Sequence, residues 1–147
     1  MPKQLDYCEK YKEFAETLEN NKSIVLATSH RDKVMARTVY YALHDSSLYF
    51  LTSSAYAKYK QIARNQNVAL CLNNIQIEGV AHIKGHPSAY ENKAVLEHLI
   101  KRCPENNRYV KRKNTVLVEV KIGNITMWNN NDREYINPAQ KSAYRVG

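Results

Sequence analysis

Three short apolar segments separated by polar turns of four residues occupy the first half of the chain. The segments are 23–29 (SIVLATS), 34–43 (VMARTVYYAL) and 48–52 (LYFLT), and the turns between them are 30–33 and 44–47. Their β-branched and aromatic residues favour strands. Because a parallel crossover needs a dozen or more residues, turns of four residues permit only antiparallel neighbours. The sequence therefore predicts an antiparallel sheet.

Two further hairpins are predicted in the second half of the chain. Their strands are 68–73 with 75–85, and 115–122 with 124–129. The second pair is expected to turn at Gly123. Within 75–85, apolar and polar residues alternate with the period of two that is typical of a half-buried strand. Gly79 lies in the middle of that strand and indicates a bulge or a close backbone approach.

Three amphipathic helices complete the predicted set of elements, over residues 4–21, 55–66 and 88–103. Residues 130–147 are polar and are expected to form an extended tail or a partner-binding arm. Six or seven short strands with helices at the ends of the sheet predict a mainly β (α+β) fold, as a barrel or a sandwich. Because there is no internal repeat and no linker, we expect residues 1–147 to form a single domain, with 1–21 as its N-terminal helix.

The chain is strongly basic, with a formal net charge of +8. Such a charge predicts an anionic partner, which charge alone leaves open between nucleic acid, an acidic membrane and a phosphorylated small molecule. Three cysteines far apart, with no C-x-x-C pair, argue against a disulfide framework and against structural zinc. His82 and His86 are too widely spaced on a strand to share a metal. No metal site is predicted.

The N-terminus has no apolar core of the kind that a secretory signal needs. The longest apolar runs, such as 24–27, are far shorter than the roughly 20 residues of a membrane span. We therefore expect a cytoplasmic protein without a membrane segment.

The segment that joins the third predicted strand to the second predicted helix has the clearest chemistry. The strand ends in the hydroxyl residues Thr52, Ser53 and Ser54, and Lys58 lies in the first turn of the helix. A helix N-terminus attracts anions through its unpaired N–H groups and its dipole. Arg37, on the preceding strand, can add a guanidinium at the same end of the sheet. From spacing alone, these residues fit a phosphate site, and they fit more readily an ordinary helix cap followed by a solvated lysine.

Further motifs, spread over residues 20–130, accompany the strand end and helix start at 52–58. They are 26–28 (LAT), 36–39 (ARTV), 49–53 (YFLTS), Lys58, 62–70 (IARNQNVAL), 78–81 (EGVA), 118–120 (VEV) and Trp128. Together they resemble the pyridoxamine 5′-phosphate oxidase-like superfamily of FMN-binding split barrels, especially its short branch related to general stress proteins. One departure is Tyr56-Ala57-Lys58, where members of the family often carry Ser-Arg-Lys.

The resemblance implies a split barrel that forms a homodimer with FMN at the subunit interface. It also implies an FMN-dependent oxidoreductase that acts on an unidentified small molecule. By resemblance, the cofactor phosphate and ribityl chain are held by Arg37, Thr52, Ser53 and Lys58. Contacts near the flavin ring are implied for Thr38, Asn74 and Trp128.

Several alternatives stay open at this point. The chain could be a flavin-binding or stress-related module without turnover, or a member of the family that binds a deazaflavin or haem in place of FMN. It could also be a nucleic-acid-binding barrel that uses the basic segment 101–113. No general acid or base is assigned, because in a flavin enzyme the cofactor carries the electrons.

Overall fold

The computed structural model describes residues 2–147, which form ten strands and four α-helices. The strands are β1 Lys3–Gln4, β2 Ser23–His30, β3 Lys33–Tyr40, β4 Ala42–His44, β5 Ser47–Ser53, β6 Asn67–Leu72, β7 Ile75–Ile83, β8 Thr115–Asn129, β9 Asp132–Asn137 and β10 Ser142–Val146. The helices are α1 Tyr7–Glu19, α2 Ala57–Arg64, α3 Lys93–Arg102 and α4 Asn107–Val110.

All the strands belong to one antiparallel sheet that branches at β8. The main order is β1-β10-β9-β8-β7-β6-β2-β3, and β5, which carries β4, also pairs with the first half of β8. No ladder joins β3 to β5, so the sheet stays open there and the barrel is split. The predicted mainly β, split-barrel fold is confirmed, with ten strands in place of six or seven.

The core fills the inside of the curved sheet and is closed by α1. Helix α1 begins where Asp6 accepts a hydrogen bond from the backbone N–H of Glu9 (3.1 Å), as expected of an N-cap residue. Its apolar stripe places Phe14 and Leu18, both fully buried, against the aliphatic side chains of the strands. A second, smaller cluster lies between α3 and the opposite face of β5 and β8, and includes Leu99.

The predicted strand 34–43 is divided in two, which changes the neighbour of Arg37. The chain leaves the sheet at Tyr41, whose buried hydroxyl donates to the carbonyl oxygen of Leu18. Beyond this break, β4 pairs with β5, whereas β3 pairs only with β2. The expectation that the strand of Arg37 lies directly beside β5 in a ladder is therefore wrong.

The turn predicted at Gly123 does not form. Residues 115–129 are one continuous strand, β8, and so the expected pairing of 115–122 with 124–129 is wrong. The register between β7 and β8 shifts at Glu78/Gly79, which confirms the predicted bulge at Gly79. A Cβ atom there would lie 2.6 Å from Cγ1 of Val120 and 2.9 Å from the carbonyl oxygen of Lys121, so the close approach requires glycine.

The C-terminal segment is part of the sheet. Residues 130–147, expected to be an extended tail or a partner-binding arm, contain the hairpin β9–β10, and β1 pairs with its outer strand. The buried carboxylate of Glu134 contacts Nζ of Lys10 on α1 (2.9 Å) and Nη2 of Arg145 on β10 (2.7 Å). These ion pairs hold the hairpin against the first helix.

Candidate functional site

A cavity of about 370 Å³ lies at the split between β3 and β5. The start of α2 and the segment from α4 to β8 close its sides. Its lining residues are Thr38, Val39, Tyr40, Leu51, Thr52, Ser53, Tyr56, Lys58, Asn106, Tyr109, Arg112, Lys113, Asn114 and Thr115. Four of the seven predicted site residues therefore share one cavity: Thr38, Thr52, Ser53 and Lys58.

The edge of β3 offers backbone groups to this cavity. β3 pairs with β2 alone, and the hairpin between them closes with a two-residue turn at 31–32 in which both φ angles are positive, as in a type I′ turn. Because hydrogen-bonded pairs alternate along an antiparallel ladder, the N–H and C=O groups of Thr38 and Tyr40 point away from β2. They are available to a ligand in the split.

The hydroxyl of Thr52 is a buried polar group in the cavity wall that lacks a hydrogen-bond partner in residues 2–147. Thr52 is only 6% exposed, and its Oγ1 is buried without a hydrogen-bond partner among the described residues. Burial of an unpaired hydroxyl is costly, so native proteins usually provide a partner. The adjacent Ser53 uses its Oγ to accept from the backbone N–H of Ala55 (3.2 Å) and so shapes the turn into α2. An orphaned donor in a cavity wall fits a bound polar ligand.

Lys58 lies at the N-terminus of α2, and no side chain caps this helix. Its Nζ lies 4.8 Å from the ring centroid of Tyr56. Burial, with a further contribution from the positive charge of Arg37, lowers the pKa of the Lys58 ammonium group. An anion placed beside it would favour the charged ammonium group and so oppose both effects. The alternative of an ordinary helix cap is not what the structure shows, because the N-cap residue is Tyr56 and makes no side-chain cap bond.

Arg37 lies near the cavity without lining it. Its Nη1 donates to Oγ1 of Thr28 (2.8 Å) and to the carbonyl oxygen of Leu26 (3.2 Å). Burial lowers the pKa of its guanidinium group. Its side chain is on the inner face of β3, opposite to that of Thr38, so the two residues act from different sides of the strand. The positive charge of Arg37 helps to lower the pKa of Lys58. Nη1 of Arg37 already donates to Thr28 and Leu26.

Two cations in the cavity wall were not singled out as site residues from the sequence. Arg112 and Lys113 come from the loop after α4 and line the same cavity as Lys58. The sequence identifies segment 101–113 as basic, but the spacing of its cations does not distinguish a solvated loop from a cavity wall. Arg102 of the same segment stabilises the fold, because it donates to the carbonyl oxygen of Leu18 in the last turn of α1 and to that of Asn21 beyond the end of the helix.

Asn74 and Trp128 are brought together, away from this cavity. The side chain of Asn74 donates to the carbonyl oxygen of Trp128 (2.7 Å). The indole of Trp128 is 42% exposed. Neither residue lines the cavity, and Trp128 lies near the end of β8 opposite to Thr115, which does. These two residues therefore do not complete the cavity of their own subunit.

The electrostatics of the cavity favour an anion. Its lining contains three cationic side chains, Lys58, Arg112 and Lys113, and no carboxylate. None of the three forms an ion pair with a carboxylate anywhere in residues 2–147. Hydroxyls, backbone donors and the α2 N-terminus add polar contacts from other directions. The residues present fit a phosphate-bearing ligand.

Neither a metal-binding cluster nor a membrane-spanning helix is found in residues 2–147. In the part of the chain that the structure describes, no three His, Cys, Asp or Glu side chains are grouped so that they could share a metal ion. Across the same residues, none of the helices is both long and apolar enough to cross a bilayer.

Similar folds occur in solved structures at low sequence identity. General Stress Protein 26 from Bacillus anthracis str. Sterne has a TM-score of 0.62 and 22% identity, over 86% of this chain and 93% of that one. A FAD-binding protein from Mesorhizobium loti has a TM-score of 0.62 and 14% identity, over 100% and 99%. A heme binding protein from Mycobacterium smegmatis has a TM-score of 0.69 and 13% identity, over 84% and 57%. These likenesses show a shared fold.

Sequence comparison identifies the family. Comparison with the curated proteins gives no match. The sequence profile of the pyridoxamine 5′-phosphate oxidase family, in contrast, matches residues 11–129, which include β2 to β8 and the cavity between β3 and β5. The chain therefore belongs to the pyridoxamine 5′-phosphate oxidase family.

Proposed function

We propose that this protein binds FMN in the cavity between β3 and β5 and acts as an oxidoreductase on a small molecule. The observation that carries the proposal is the buried, unpartnered hydroxyl of Thr52 in a cavity lined by three cations and no carboxylate. The family, and the FAD-binding protein of the same fold, support a flavin as the ligand. Of the residue types that bind haem iron, histidine, cysteine and methionine are absent from the cavity lining and tyrosine is present.

The proposed roles of the residues follow from their positions. Lys58, Thr52 and Ser53 hold the phosphate at the start of α2, where the helix dipole also favours negative charge. Thr38 presents its backbone N–H and C=O groups to the ribityl chain or to the edge of the ring. Arg37 lies behind this wall, contributes positive charge and positions α2 through Thr28.

A bound flavin would supply the exchange of electrons between a reduced donor and an acceptor. The protein would bind it, orient it and limit the access of water. No histidine, aspartate or glutamate lines the cavity, so we assign no general acid or base to this chain. A flavin-binding module without turnover is the alternative that the same geometry allows.

We further propose that the protein works as a homodimer with the cofactor near the subunit interface. The outward faces of β2 and β3 expose Val25 and Tyr40 beside the cavity and Val34 near the other end of β3. Exposed apolar groups along one sheet face are typical of an interaction surface. A second copy on this face could bring Asn74 and Trp128 to the flavin ring, which one chain alone does not do.

Two further expectations belong to this proposal. Nucleic acid is a less suitable partner, because Arg112 and Lys113 line the cavity and Arg102 is engaged by backbone carbonyls. These positions leave fewer cations of segment 101–113 for a polyanion. A cytoplasmic location stays a prediction from the sequence.

A titration with FMN and riboflavin tests the flavin site. Lys58→Ala removes the cation at the start of α2, so FMN affinity should fall by about 1.5–3 kcal/mol, the worth of a charge-assisted hydrogen bond. Riboflavin, which lacks the phosphate, should bind both proteins equally. Lys60→Ala is the matched control, because Lys60 is an exposed cation of the same helix outside the cavity. Identical FMN curves for Lys58→Ala and the unaltered protein would place the phosphate elsewhere.

Reduction of the bound flavin separates an enzyme from a passive binder. Under anaerobic conditions, NADH or NADPH should bleach the visible absorption of the FMN complex if the protein is an oxidoreductase that uses either donor. A complex that forms normally but is bleached by neither nucleotide would favour the non-catalytic alternative.

A further inference from the structure

The loop between α4 and β8 forms a second part of the cavity wall, next to the turn between β5 and α2, where the carbonyl oxygen of Asn114 accepts from the backbone N–H of Ser54 (2.9 Å). It carries Arg112 and Lys113 into the lining, although these residues lie more than fifty positions after Lys58 in the chain. The guanidinium carbon of Arg112 lies 5.0 Å from the ring centroid of Tyr109, at the distance of a cation–π contact. The neighbouring Lys111 is also exposed but does not line the cavity.

The backbone of this loop is held by a set of hydrogen bonds. The N–H of Arg112 donates to the carbonyl oxygen of Tyr109 (3.1 Å), and the hydroxyl of the buried Thr115 donates to the same oxygen. On the other side of the loop, the carbonyl oxygen of Arg112 lies 3.0 Å from Nε2 of His86. These hydrogen bonds within the protein hold the loop in its conformation without a ligand.

The imidazole of His86 is itself fixed in one tautomer. The backbone N–H of Ser88 donates to Nδ1 (3.1 Å), so Nδ1 is an acceptor. The proton of the neutral ring is then on Nε2, which donates it to the carbonyl oxygen of Arg112. His86 therefore anchors the residue that carries the guanidinium.

We propose that Arg112 is a second phosphate-binding residue, so that the cofactor phosphate is held between the start of α2 and the α4–β8 loop. This inference rests on the proposed flavin function and adds to it a contact from a separate part of the chain. Lys113 contributes charge to the same wall.

The charge and hydrogen-bonding needs of a phosphate monoester support this assignment. Such a group carries nearly two negative charges near pH 7, whereas the α2 side of the cavity lining contributes one cation, Lys58. The Nη1 group of Arg37 is already committed to Thr28 and Leu26. The guanidinium of Arg112 lacks a carboxylate partner in residues 2–147, and its planar fork can donate two parallel bonds to phosphate oxygens.

The test compares Arg112→Gln with Lys111→Gln in titrations of the flavin-free protein with FMN and with riboflavin. Both variants lose one exposed positive charge from adjacent positions, so they change the long-range field equally. Arg112→Gln should weaken FMN about 10- to 100-fold, the effect of losing one charge-assisted hydrogen bond. Its affinity for riboflavin should stay within about twofold of the unaltered protein, and Lys111→Gln should change neither affinity by more than about threefold.

Each other outcome overturns the proposal in a recognisable way. Equal FMN affinities for Arg112→Gln and Lys111→Gln would show that Arg112 does not touch the phosphate. An equal loss of FMN and riboflavin would assign Arg112 to the shape of the cavity instead. If the unaltered protein does not prefer FMN to riboflavin, the proposed function fails first, and the Arg112 assignment fails with it.

Discussion

Arg37 is linked to helix α2 through the hydroxyl of Thr28. Nη1 of Arg37 donates to Oγ1 of Thr28 (2.8 Å), and that hydroxyl donates to Oε1 of Gln61 on α2. Gln61 in turn donates from Nε2 to the carbonyl oxygen of Lys33 (3.3 Å). Gln61 lies three residues after Lys58, on the same face of α2. This chain of hydrogen bonds therefore holds in place the helix whose first turn carries Lys58.

We expect Thr28→Val to lower the free energy of unfolding by about 1–3 kcal/mol. Thr28 is buried, and the change leaves Oε1 of Gln61 and an N–H of Arg37 without their partner. Urea denaturation of the flavin-free protein measures the effect. Thr38→Val is the control, because Thr38 is exposed on β3 and its change should stay within about 0.5 kcal/mol. Equal unfolding curves for the two variants would contradict a structural role for the Thr28 hydroxyl.

The local elements of this fold could be predicted because their signals are local. The alternation within β7, the apolar stripe of α1 and the glycine at the bulge each lie within one segment. The sequence does not predict β8 as one long strand, because Gly123 resembles a turn residue. The strand continues through Gly123 because β7 and β9 pair with β8 along its length. The sequence does not predict strand β9, because its inward residue Glu134 is charged and finds its partners Lys10, Asn129 and Arg145 only in the folded structure.

The residues of the candidate site also divide into those that a local sequence signal identifies and those that only the tertiary fold brings together. Thr52, Ser53 and Lys58 fall within seven residues, so a strand end followed by a helix start marked them as a group. Arg112 joins them only after the chain has passed through β6, β7 and α3, and no spacing rule connects it to Lys58. Arg112 reaches the cavity through tertiary contacts, such as the contact of Nε2 of His86 with the carbonyl oxygen of Arg112.

Thr52→Val should affect stability and ligand binding in opposite directions. In the flavin-free protein the hydroxyl is buried without a partner, so an isosteric methyl group should leave stability unchanged or raise it by up to about 1 kcal/mol. The same change should weaken FMN by about 1 kcal/mol, because a donor to the ligand is lost. Chemical denaturation and fluorescence titration measure the two effects. A clear loss of stability would mean that the hydroxyl has a partner within the protein.

Acid should destabilise the protein partly through Glu134. Burial opposes ionisation of this carboxyl, but hydrogen bonds from Lys10 and Arg145 outweigh it and hold the pKa of Glu134 below its usual value. A carboxyl with a depressed pKa in the folded state stabilises the fold above its unfolded-state pKa, near 4.3, and loses that contribution as the pH falls through the folded value.

Glu134→Gln should therefore cost about 1–3 kcal/mol at pH 7, and the difference from the unaltered protein should shrink steadily below about pH 4.3. Urea denaturation at a series of pH values measures it. Glu13→Gln is the control, because Glu13 pairs with the same Lys10 at the surface and should show little change at any pH. A difference between Glu134→Gln and the unaltered protein that does not depend on pH would contradict the linkage.

The outward face of β3 provides a test of the proposed homodimer. Val34 is 72% exposed there, and a carboxylate at this position would be buried without a partner if a second copy covers the face, at a cost of several kcal/mol. Val34→Glu should therefore shift the protein from dimer to monomer in sedimentation velocity, with the far-ultraviolet circular dichroism unchanged. Tyr90→Glu is the matched control, because Tyr90 is 89% exposed in the turn before α3, away from β2 and β3. A dimer that survives Val34→Glu, or a monomeric unaltered protein, would show that this face does not mediate self-association.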